Sequence, residues 1–377
     1  MGKTDEELLI MAKSLGGGGS EVALIELINA LPEELYNITL VLLDSDNEYA
    51  YRLKKNVNIV QLTFNSSFAK SLVSMYAFPA KVLKKLSVNS FIAYYDFISN
   101  CVTNVFEKTY DIAIDFYGYG SFVTAFLATK IQAKKKATWL HDEKPYWMKS
   151  VQKYLCEYDK IYGVSQAVVD AFCREYPHYK DKAAVFYNVI DIEEIKRKSE
   201  QDEIIPFKES FNIVTVGRLT EQKGYDIAIK AASILKKRKI NFAWYAIGGG
   251  RDEKKLKKLV EKYCLENQFV FLGRKKNPYP YMKHCDLYVQ PSRHEGYVIT
   301  LVEARALCLP ILSSDIPSAR EQIQDGINGY IAELSAEDLA DKIEYLYNNP
   351  SQRKKTVEYL KEHPIDFSTE LLKLEII

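Results

Sequence analysis

The sequence has no surplus of either charge, no long apolar run and few cysteines. Its formal net charge is +1 over 377 residues, whereas a nucleic-acid-binding protein normally carries a strong basic excess. The first twenty residues contain acids and only a short apolar stretch, which does not fit a signal peptide or a membrane-spanning helix. We therefore expect a cytoplasmic protein that binds no nucleic acid.

The cysteines and acids form no pattern that is typical of a metal site. The six cysteines are scattered without a CxxC pair, which predicts reduced thiols and neither disulfides nor zinc ligands. Asp44 and Asp46 have the spacing of a magnesium-binding acid pair, but acids that follow a strand are common in turns. We expect turn residues here, with a metal site as the weaker alternative, and predict that no metal cofactor is required.

Two halves of the chain repeat the same alternation of short apolar runs and amphipathic helical segments. Strands separated by helices of this length predict parallel sheets with right-handed crossovers. A charged segment poor in apolar residues, 191–206, separates the halves and predicts the domain boundary. We predict an amino-terminal domain at 1–195, a carboxyl-terminal domain at 206–360, and a tail at 361–377 that packs back on the first domain.

The fold class that follows is α/β, with two Rossmann-like, doubly wound parallel-sheet domains that face each other across a cleft. Ligands of such sheets bind at the carboxyl ends of the strands. The predicted strands are 8–12, 38–43, 57–62, 112–116, 137–140, 160–163 and 184–187 in the first half, and 211–216, 242–247, 270–272, 287–290 and 311–313 in the second.

One candidate phosphate-binding loop follows the predicted strand 211–216. Gly217 allows the backbone to turn and to approach a ligand closely. Arg218 and Lys223 follow in the same loop, where two cations can hold a diphosphate from two directions. The alternative is a solvated loop that carries two surface cations.

A second candidate segment follows the predicted strand 287–290. Gly296, Tyr297 and Val298 are expected at a helix amino terminus, where free N–H groups and the helix dipole attract phosphate. Glu295 can accept hydrogen bonds from sugar hydroxyls, and Glu303 can hold a ribose diol. The alternative is that the two glutamates are ordinary surface charges.

A glycine-rich segment at 16–19 lies between a predicted strand and a predicted helix. Its composition is that of a flexible linker, but its position favours a ligand-facing turn. We therefore predict that Gly17 and Gly18 contact a ligand.

These motifs together resemble the large retaining glycosyltransferase family 4, also called glycosyl transferases group 1, which is typified by bacterial capsule and lipopolysaccharide enzymes. The resemblance covers nearly the whole chain. The segments that carry it are 217–224, 248–250, 270–273, the pair Glu295 and Glu303, 328–329, 16–19, 139–142, 164–165 and 187–191.

The resemblance implies a role for several residues and a two-domain fold of the GT-B type. Arg218 and Lys223 would bind the donor diphosphate, Glu295 the donor sugar, and Glu303 the ribose. His141 would lie near the donor sugar and the reacting carbon, so that His141, Glu295, Arg218 and Lys223 form the expected catalytic set. The loop with Gly17 and Gly18 would pack against donor phosphate or acceptor.

The chain departs from the family pattern at two places. Cys308 stands where a glycine is usual, and Arg305 replaces a small or apolar residue. Neither is expected to contact a ligand, whereas Tyr297 and Val298 are expected to tune which sugar fits.

The expected function is transfer of a sugar, with retention at the anomeric carbon, from a nucleotide sugar to a glycan or lipid-linked acceptor in surface polysaccharide synthesis. A UDP-sugar is the favoured donor. The cations and the helix dipole would stabilise the leaving diphosphate without a metal. The alternatives are a nucleotide-sugar epimerase of the same architecture and a non-catalytic subunit that binds sugar nucleotides.

The segment 66–86 mixes aromatic and aliphatic residues with lysines. A basic amphipathic segment can rest on an anionic membrane surface, which suits an enzyme with a lipid-linked acceptor. A core-packed pair of helices with solvated lysines is an equal alternative. Peripheral contact with the inner membrane surface through 66–86 is therefore one of two open predictions.

Overall fold

The computed structural model describes residues 6–16, 18–74, 88–118, 120–201 and 207–374. The chain divides into two compact units. The first unit comprises Met1–Ile190 together with Phe367–Ile377, and the second comprises Asp191–Asp366.

The first unit is built on a parallel sheet of seven described strands in the order β3-β2-β1-β4-β5-β6-β7. Strand β1 lies inside this sheet, and four consecutive residues of it are buried: Leu8, Leu9, Ile10 and Met11. This is expected of a parallel strand that is covered on both faces. The strands are β1 (Glu6–Ala12), β2 (Tyr36–Leu42), β3 (Asn58–Gln61), β4 (Tyr110–Asp115), β5 (Ala133–Leu140), β6 (Lys160–Gly163) and β7 (Ala183–Val185). The helices are α1 (Gly19–Ala30), α2 (Ser67–Ser74), α3 (Val88–Asn100), α4 (Phe122–Lys130) and α5 (Gln166–Glu175).

The second unit has a parallel sheet of six strands within its described residues, in the order β10-β9-β8-β11-β12-β13. The strands are β8 (Phe211–Val216), β9 (Phe242–Ile247), β10 (Phe269–Gly273), β11 (Leu287–Gln290), β12 (Ile311–Ser314) and β13 (Tyr330–Ala332). The helices are α6 (Ile192–Ser199), α7 (Tyr225–Lys237), α8 (Glu253–Lys262), α9 (Tyr279–Lys283), α10 (Ile299–Ala306), α11 (Pro317–Arg320), α12 (Ala336–Asn348) and α13 (Pro350–Glu362).

The predicted α/β class with two parallel-sheet domains is confirmed, and each predicted strand coincides with an observed one. The structure adds β13, which has only three residues and was too short to stand out in the sequence.

The segment 191–206 was predicted to be a linker, but in the structure it begins with helix α6 of the second unit. Asp191 caps this helix by accepting a hydrogen bond from the Glu194 N–H at 2.9 Å. Ile195 is buried, and the Asn277 side chain donates to the Lys198 carbonyl at 2.8 Å. The helix was missed because most of its residues are charged and only one of its buried residues, Ile195, is apolar. Residues 202–206 lie outside the described residues.

The end of the chain, from Phe367, belongs to the first unit and forms the short helix α14 (Ser368–Leu371). The Tyr187 N–H donates to Glu370 Oε2 at 3.0 Å, and the Tyr162 hydroxyl donates to the Lys373 carbonyl at 3.0 Å. Lys373 Nζ donates in turn to the Val185 carbonyl at 3.0 Å. The tail therefore packs at the β6–β7 edge of the first sheet.

Candidate functional site

Two loops of the second unit meet where the strand order of its sheet reverses. Strand β8 lies between β9 and β11, so the loops after β8 and β11 leave neighbouring strand ends. We call residues 217–224 the first loop and residues 291–298 the second loop. Ligands of open α/β sheets bind at such a switch point.

Glycines permit backbone contact between the strand ends. Gly224 has a φ of +66°, and a Cβ there would lie 1.8 Å from the Pro291 carbonyl oxygen. Gly248, after β9, has a φ of +148°, and its Cβ would lie 1.9 Å from the Gly217 carbonyl oxygen. No side chain fits at either position. At Gly217, where the sequence predicted a glycine turn, a Cβ would lie 3.4 Å from the Lys223 side chain, which is an ordinary van der Waals contact.

Hydrogen bonds join the two loops. The Arg293 N–H donates to the Gln222 carbonyl at 2.8 Å, and the Gln222 side chain donates to the His294 carbonyl at 3.0 Å. The Arg293 guanidinium binds both oxygens of Asp226 in α7, at 2.7 and 2.8 Å. Asp226 holds a lowered pKa because of this pairing with Arg293. The loops therefore form one preorganised surface.

Lys223 and Glu295 form an ion pair between the loops. Lys223 Nζ lies 2.7 Å from Glu295 Oε1, and the side chains are 14% and 9% exposed. Two predicted site residues that stand 72 positions apart in the sequence are thus in direct contact. Removing one partner of a mostly buried pair of this kind leaves an uncompensated charge, which is strongly destabilising.

Arg218 lies exposed directly after β8. Within the described residues, its guanidinium forms no hydrogen bond or ion pair. A guanidinium in this state can bind a phosphate with two parallel hydrogen bonds.

Helix α10 begins at Ile299, directly after the segment that was expected at its amino terminus. Val298 is its N-cap residue and provides no side-chain hydrogen bond, while Gly296 and Tyr297 precede the helix. The Ile299 and Leu301 N–H groups donate to the Tyr297 and Val298 carbonyls at 3.2 and 3.1 Å. The positive end of the helix dipole lies at the end of the second loop, where an anion is favoured.

Glu303 lies in α10 and is buried. Its Oε1 accepts a hydrogen bond from the Tyr279 hydroxyl at 2.9 Å, which orients the carboxylate. Tyr279 was not singled out in the sequence, since a tyrosine in a short helix 24 residues away carries no local signal.

In the first unit, His141 directly follows β5. Its Nε2 lies 2.7 Å from the Phe116 carbonyl oxygen, which can only accept, so Nε2 carries the proton. Burial lowers the pKa of His141 to about 4. The imidazole is therefore neutral at pH 7, with Nδ1 as the acceptor nitrogen.

The sequence did not single out Asp115, a fully buried carboxylate at the end of β4. Asp115 accepts hydrogen bonds from Thr124 at 2.6 Å, Thr138 at 2.9 Å and the Gly118 N–H at 2.8 Å. Burial raises its pKa to about 6. This arrangement holds the loop that carries the Phe116 carbonyl, and so orients His141. The available signal was the glycine three residues after a strand-end acid.

The glycine-rich segment is described only in part, because Gly17 lies outside the described residues. Gly18 is the N-cap of α1, and its carbonyl accepts from the Val22 N–H at 3.1 Å. The Glu21 carboxylate fills the space above Gly18, 2.1 Å from where a Cβ would lie. An acid at this helix start favours a hydroxyl-bearing ligand over a phosphate.

No described group of three or more His, Cys, Asp or Glu residues is placed to hold a metal ion. Asp46 acts as a turn residue, since its Oδ1 accepts from the Glu48 N–H at 3.4 Å. No described helix is long and apolar enough to cross a membrane. Of the segment 66–86, the structure describes helix α2 up to Ser74, and the lysine-rich part from 75 lies outside the described residues.

Comparison with known sequences places a family match on the second unit. Residues 196–363 match the model of the family described as Glycosyl transferases group 1. An uncharacterised glycosyltransferase of Methanocaldococcus jannaschii is 33% identical over 172 residues, which are 45% of this chain and 40% of that protein. The N-acetylgalactosamine-N,N'-diacetylbacillosaminyl-diphospho-undecaprenol 4-alpha-N-acetylgalactosaminyltransferase of Campylobacter jejuni is 30% identical over 184 residues, covering 46% and 49% respectively. The chain thus spans about half the length of these relatives.

Solved structures resemble the chain over nearly its whole length. HepE of Anabaena, solved in complex with UDP, has a TM-score of 0.74 at 17% identity and covers 98% of both chains. A variant of TarM from S. aureus, solved with UDP and sugar ligands, has a TM-score of 0.71 at 14% identity, covering 98% of this chain and 99% of its own. These likenesses support the GT-B fold that the sequence predicted.

Proposed function

We propose that this chain, which belongs to the glycosyl transferases group 1 family through its residues 196–363, is a retaining glycosyltransferase that uses a UDP-sugar. Its acceptor is a glycan or lipid-linked glycan of surface polysaccharide synthesis. The observation that carries the proposal is the Lys223–Glu295 pair at the switch point of the second sheet, beside the exposed Arg218. UDP in the HepE complex and the undecaprenol-linked substrate in the Campylobacter relative's name support the choice of donor and acceptor.

The charges of the site suit departure of a diphosphate. As the glycosidic bond breaks, negative charge develops on the phosphate, and Arg218, Lys223 and the start of α10 lie ready to stabilise it. Preplaced donors of this kind contribute several kcal/mol to a barrier, roughly 3 kcal/mol for one group. We propose that they replace a metal ion.

The sugar and the ribose are assigned to the two glutamates. Glu295 accepts hydrogen bonds from donor-sugar hydroxyls, and Glu303 binds the ribose with Tyr279 as its orienting partner. In the first unit, the neutral His141 is assigned to the surroundings of the donor sugar. A diphosphate oxygen takes up the acceptor proton as the new bond forms on the face from which the diphosphate leaves. This route needs no protein base.

The acceptor places the protein at a membrane surface in this proposal. Helix α2 exposes Phe68, which is 68% exposed, and the sequence of the segment 66–86 contains lysines, whose charge anionic lipid attracts.

A donor panel tests the proposal directly. The protein is incubated with UDP-, GDP- and ADP-sugars, with and without EDTA, and release of free nucleoside diphosphate is followed. We expect release from one donor, undiminished by EDTA. An epimerase would convert the sugar nucleotide without releasing diphosphate, and a non-catalytic subunit would bind without release. If no donor releases nucleoside diphosphate and UDP, GDP and ADP give no thermal stabilisation, the proposed donor site is contradicted.

Substitutions test the site assignment. We expect Lys223→Ala and Glu295→Ala each to lower turnover at least tenfold, because one removes charge at the leaving group and the other removes the sugar contact. Lys230→Ala, which truncates an exposed lysine on α7, is the matched control and should retain wild-type turnover. Near-wild-type turnover in both site variants would contradict the assignment of Lys223 and Glu295 to the donor site.

A further inference from the structure

A chain of buried hydrogen bonds leads from the interior of the second sheet to Glu295. The Gln290 side chain donates to Ser292 Oγ at 2.6 Å, and Ser292 Oγ donates to Glu295 Oε1 at 2.7 Å. At the inner end, Gln290 Oε1 accepts from the Tyr288 hydroxyl at 2.7 Å and from Thr300 of α10 at 2.9 Å. Gln290 and Ser292 are both 0% exposed. Such a chain is stable only when every member is satisfied.

The direction of every hydrogen bond in this chain follows from the carboxylate at its end. The Glu295 carboxylate can only accept hydrogen bonds, so the Ser292 hydroxyl must donate its single hydrogen to Glu295. Ser292 must then accept from the Gln290 amide nitrogen, which turns the Gln290 oxygen towards two hydroxyls that donate. Burial raises the pKa of Tyr288 well above its ordinary value, so its hydroxyl keeps the proton that it donates.

The two oxygens of Glu295 are held very differently. Oε1 receives Lys223 Nζ at 2.7 Å and Ser292 Oγ at 2.7 Å. Among the residues that the structure describes, Oε2 receives only the Gln222 side chain, at a long 3.5 Å. Oε1 is therefore committed to the protein, while Oε2 can still accept a strong hydrogen bond.

We propose that Gln290 and Ser292 are positioning residues that fix Oε1 of Glu295 and thereby present Oε2 to a hydroxyl of the donor sugar. This inference rests on the proposed function. Ser292 also holds Glu295 in place when Lys223 turns from the carboxylate to the donor diphosphate. Without that second partner, the carboxylate would follow the lysine or rotate about its terminal bond.

The test separates sugar recognition from nucleotide binding. We expect Ser292→Ala to lower kcat/KM for the nucleotide sugar at least tenfold and to leave the Kd for UDP within twofold. Gln290→Glu, nearly isosteric, should do the same, because a carboxylate at 290 accepts the Ser292 hydrogen and denies it to Glu295. Ser292→Thr keeps the hydroxyl and should recover most of the activity.

Ser313→Ala is the matched control. Ser313 is a fully buried serine of β12. Its hydroxyl bonds to two main-chain oxygens and to no side chain of the described residues, with distances of 3.1 Å to Ser314 and 3.4 Å to Gln290. A purely structural role of the chain would make Ser292→Ala resemble Ser313→Ala in thermal stability, UDP affinity and kcat/KM.

The outcomes distinguish this inference from the proposed function. If the wild-type protein releases nucleotide while Ser292→Ala and Gln290→Glu both keep kcat/KM within twofold of it, only the positioning role is overturned. The positioning role alone is also overturned if the variants lose UDP affinity and kcat/KM in equal proportion. If the wild-type protein neither binds nor turns over any nucleotide sugar, the proposed function and this inference fall together.

Discussion

The ionisable residues of the two units occupy environments that set their charge in different ways. Arg218 is exposed and accessible to a ligand, whereas Lys223 is paired with Glu295. His141 is held neutral by burial, and Asp115 is held by three donors that compensate for its burial only in part. The predicted residue types were therefore sufficient to suggest chemistry, but their protonation and pairing follow from burial.

The lowered pKa of His141 gives a prediction on stability against pH. The folded protein resists protonation of His141 down to about pH 4, while the unfolded chain takes up the proton near pH 6.5. Stability from this residue is therefore present above pH 6.5 and lost as the pH falls, by about 2 kcal/mol at pH 5. His141→Gln should lose less stability than the wild type between pH 7 and pH 5.

Urea unfolding at the two pH values measures this difference. Asp115 acts in the opposite sense, since its raised pKa adds stability as the pH falls through 6, and it is present in both proteins. The difference between variant and wild type thus isolates His141. Equal pH dependence in the two proteins would show that His141 is not held neutral.

Among the elements, the ends of helices show why a glycine is usual at the position of Cys308, where the sequence departs from the family pattern. Cys308 follows α10 with a φ of +55°, the left-handed conformation in which glycine is favoured after a helix. Lys239 after α7 and Cys264 after α8 adopt the same conformation, with φ of 60° and 53°. Three helices are thus followed by a strained residue at a position where glycine would adopt the same conformation without strain.

Cys264→Gly should stabilise the protein. The side chain is exposed, so its loss removes little packing, and relief of the left-handed strain exceeds the entropy that glycine adds to the unfolded chain by about 0.5–1 kcal/mol. Urea unfolding at pH 7 checks the gain. Lys258→Gly, at an exposed position inside α8, is the control and should instead cost about 1 kcal/mol. A loss of stability in Cys264→Gly would contradict the strain argument.

At the scale of the whole molecule, the residues assigned to the nucleotide all lie in the second unit. Arg218, Lys223, Glu295 and Glu303 fall within Asp191–Asp366, while His141 and Gly18 fall in the first unit. The proposed division of labour is therefore nucleotide binding by the second unit and acceptor binding by the first.

Amide hydrogen exchange with and without UDP tests this division. We expect UDP to slow exchange in the first loop, in the second loop and in the first turn of α10, because bound ligand stabilises the segments that contact it. Exchange in the strands of the first sheet should stay unchanged. Protection confined to the first unit would contradict the assignment.

The sequence alone indicated every described strand except β13, some of the longer helices and the chemical types at the candidate site. Parallel strands are continuous apolar runs, and strand-to-loop motifs are local, so Gly217, Arg218 and Lys223 were identifiable without a structure. The charged helix α6 and the three-residue strand β13 were not, because their burial depends on distant partners.

Only the tertiary structure decided which strand ends are neighbours. Local periodicity carries no information on strand order, so the pairing of β8 with β11 was not predictable from the apolar runs. That pairing brings Lys223 onto Glu295, and it connects Glu295 through Ser292 to Gln290. Local sequence supplies the groups, and long-range packing sets the distances between them, because hydrogen bonds form only when separate segments of the chain meet.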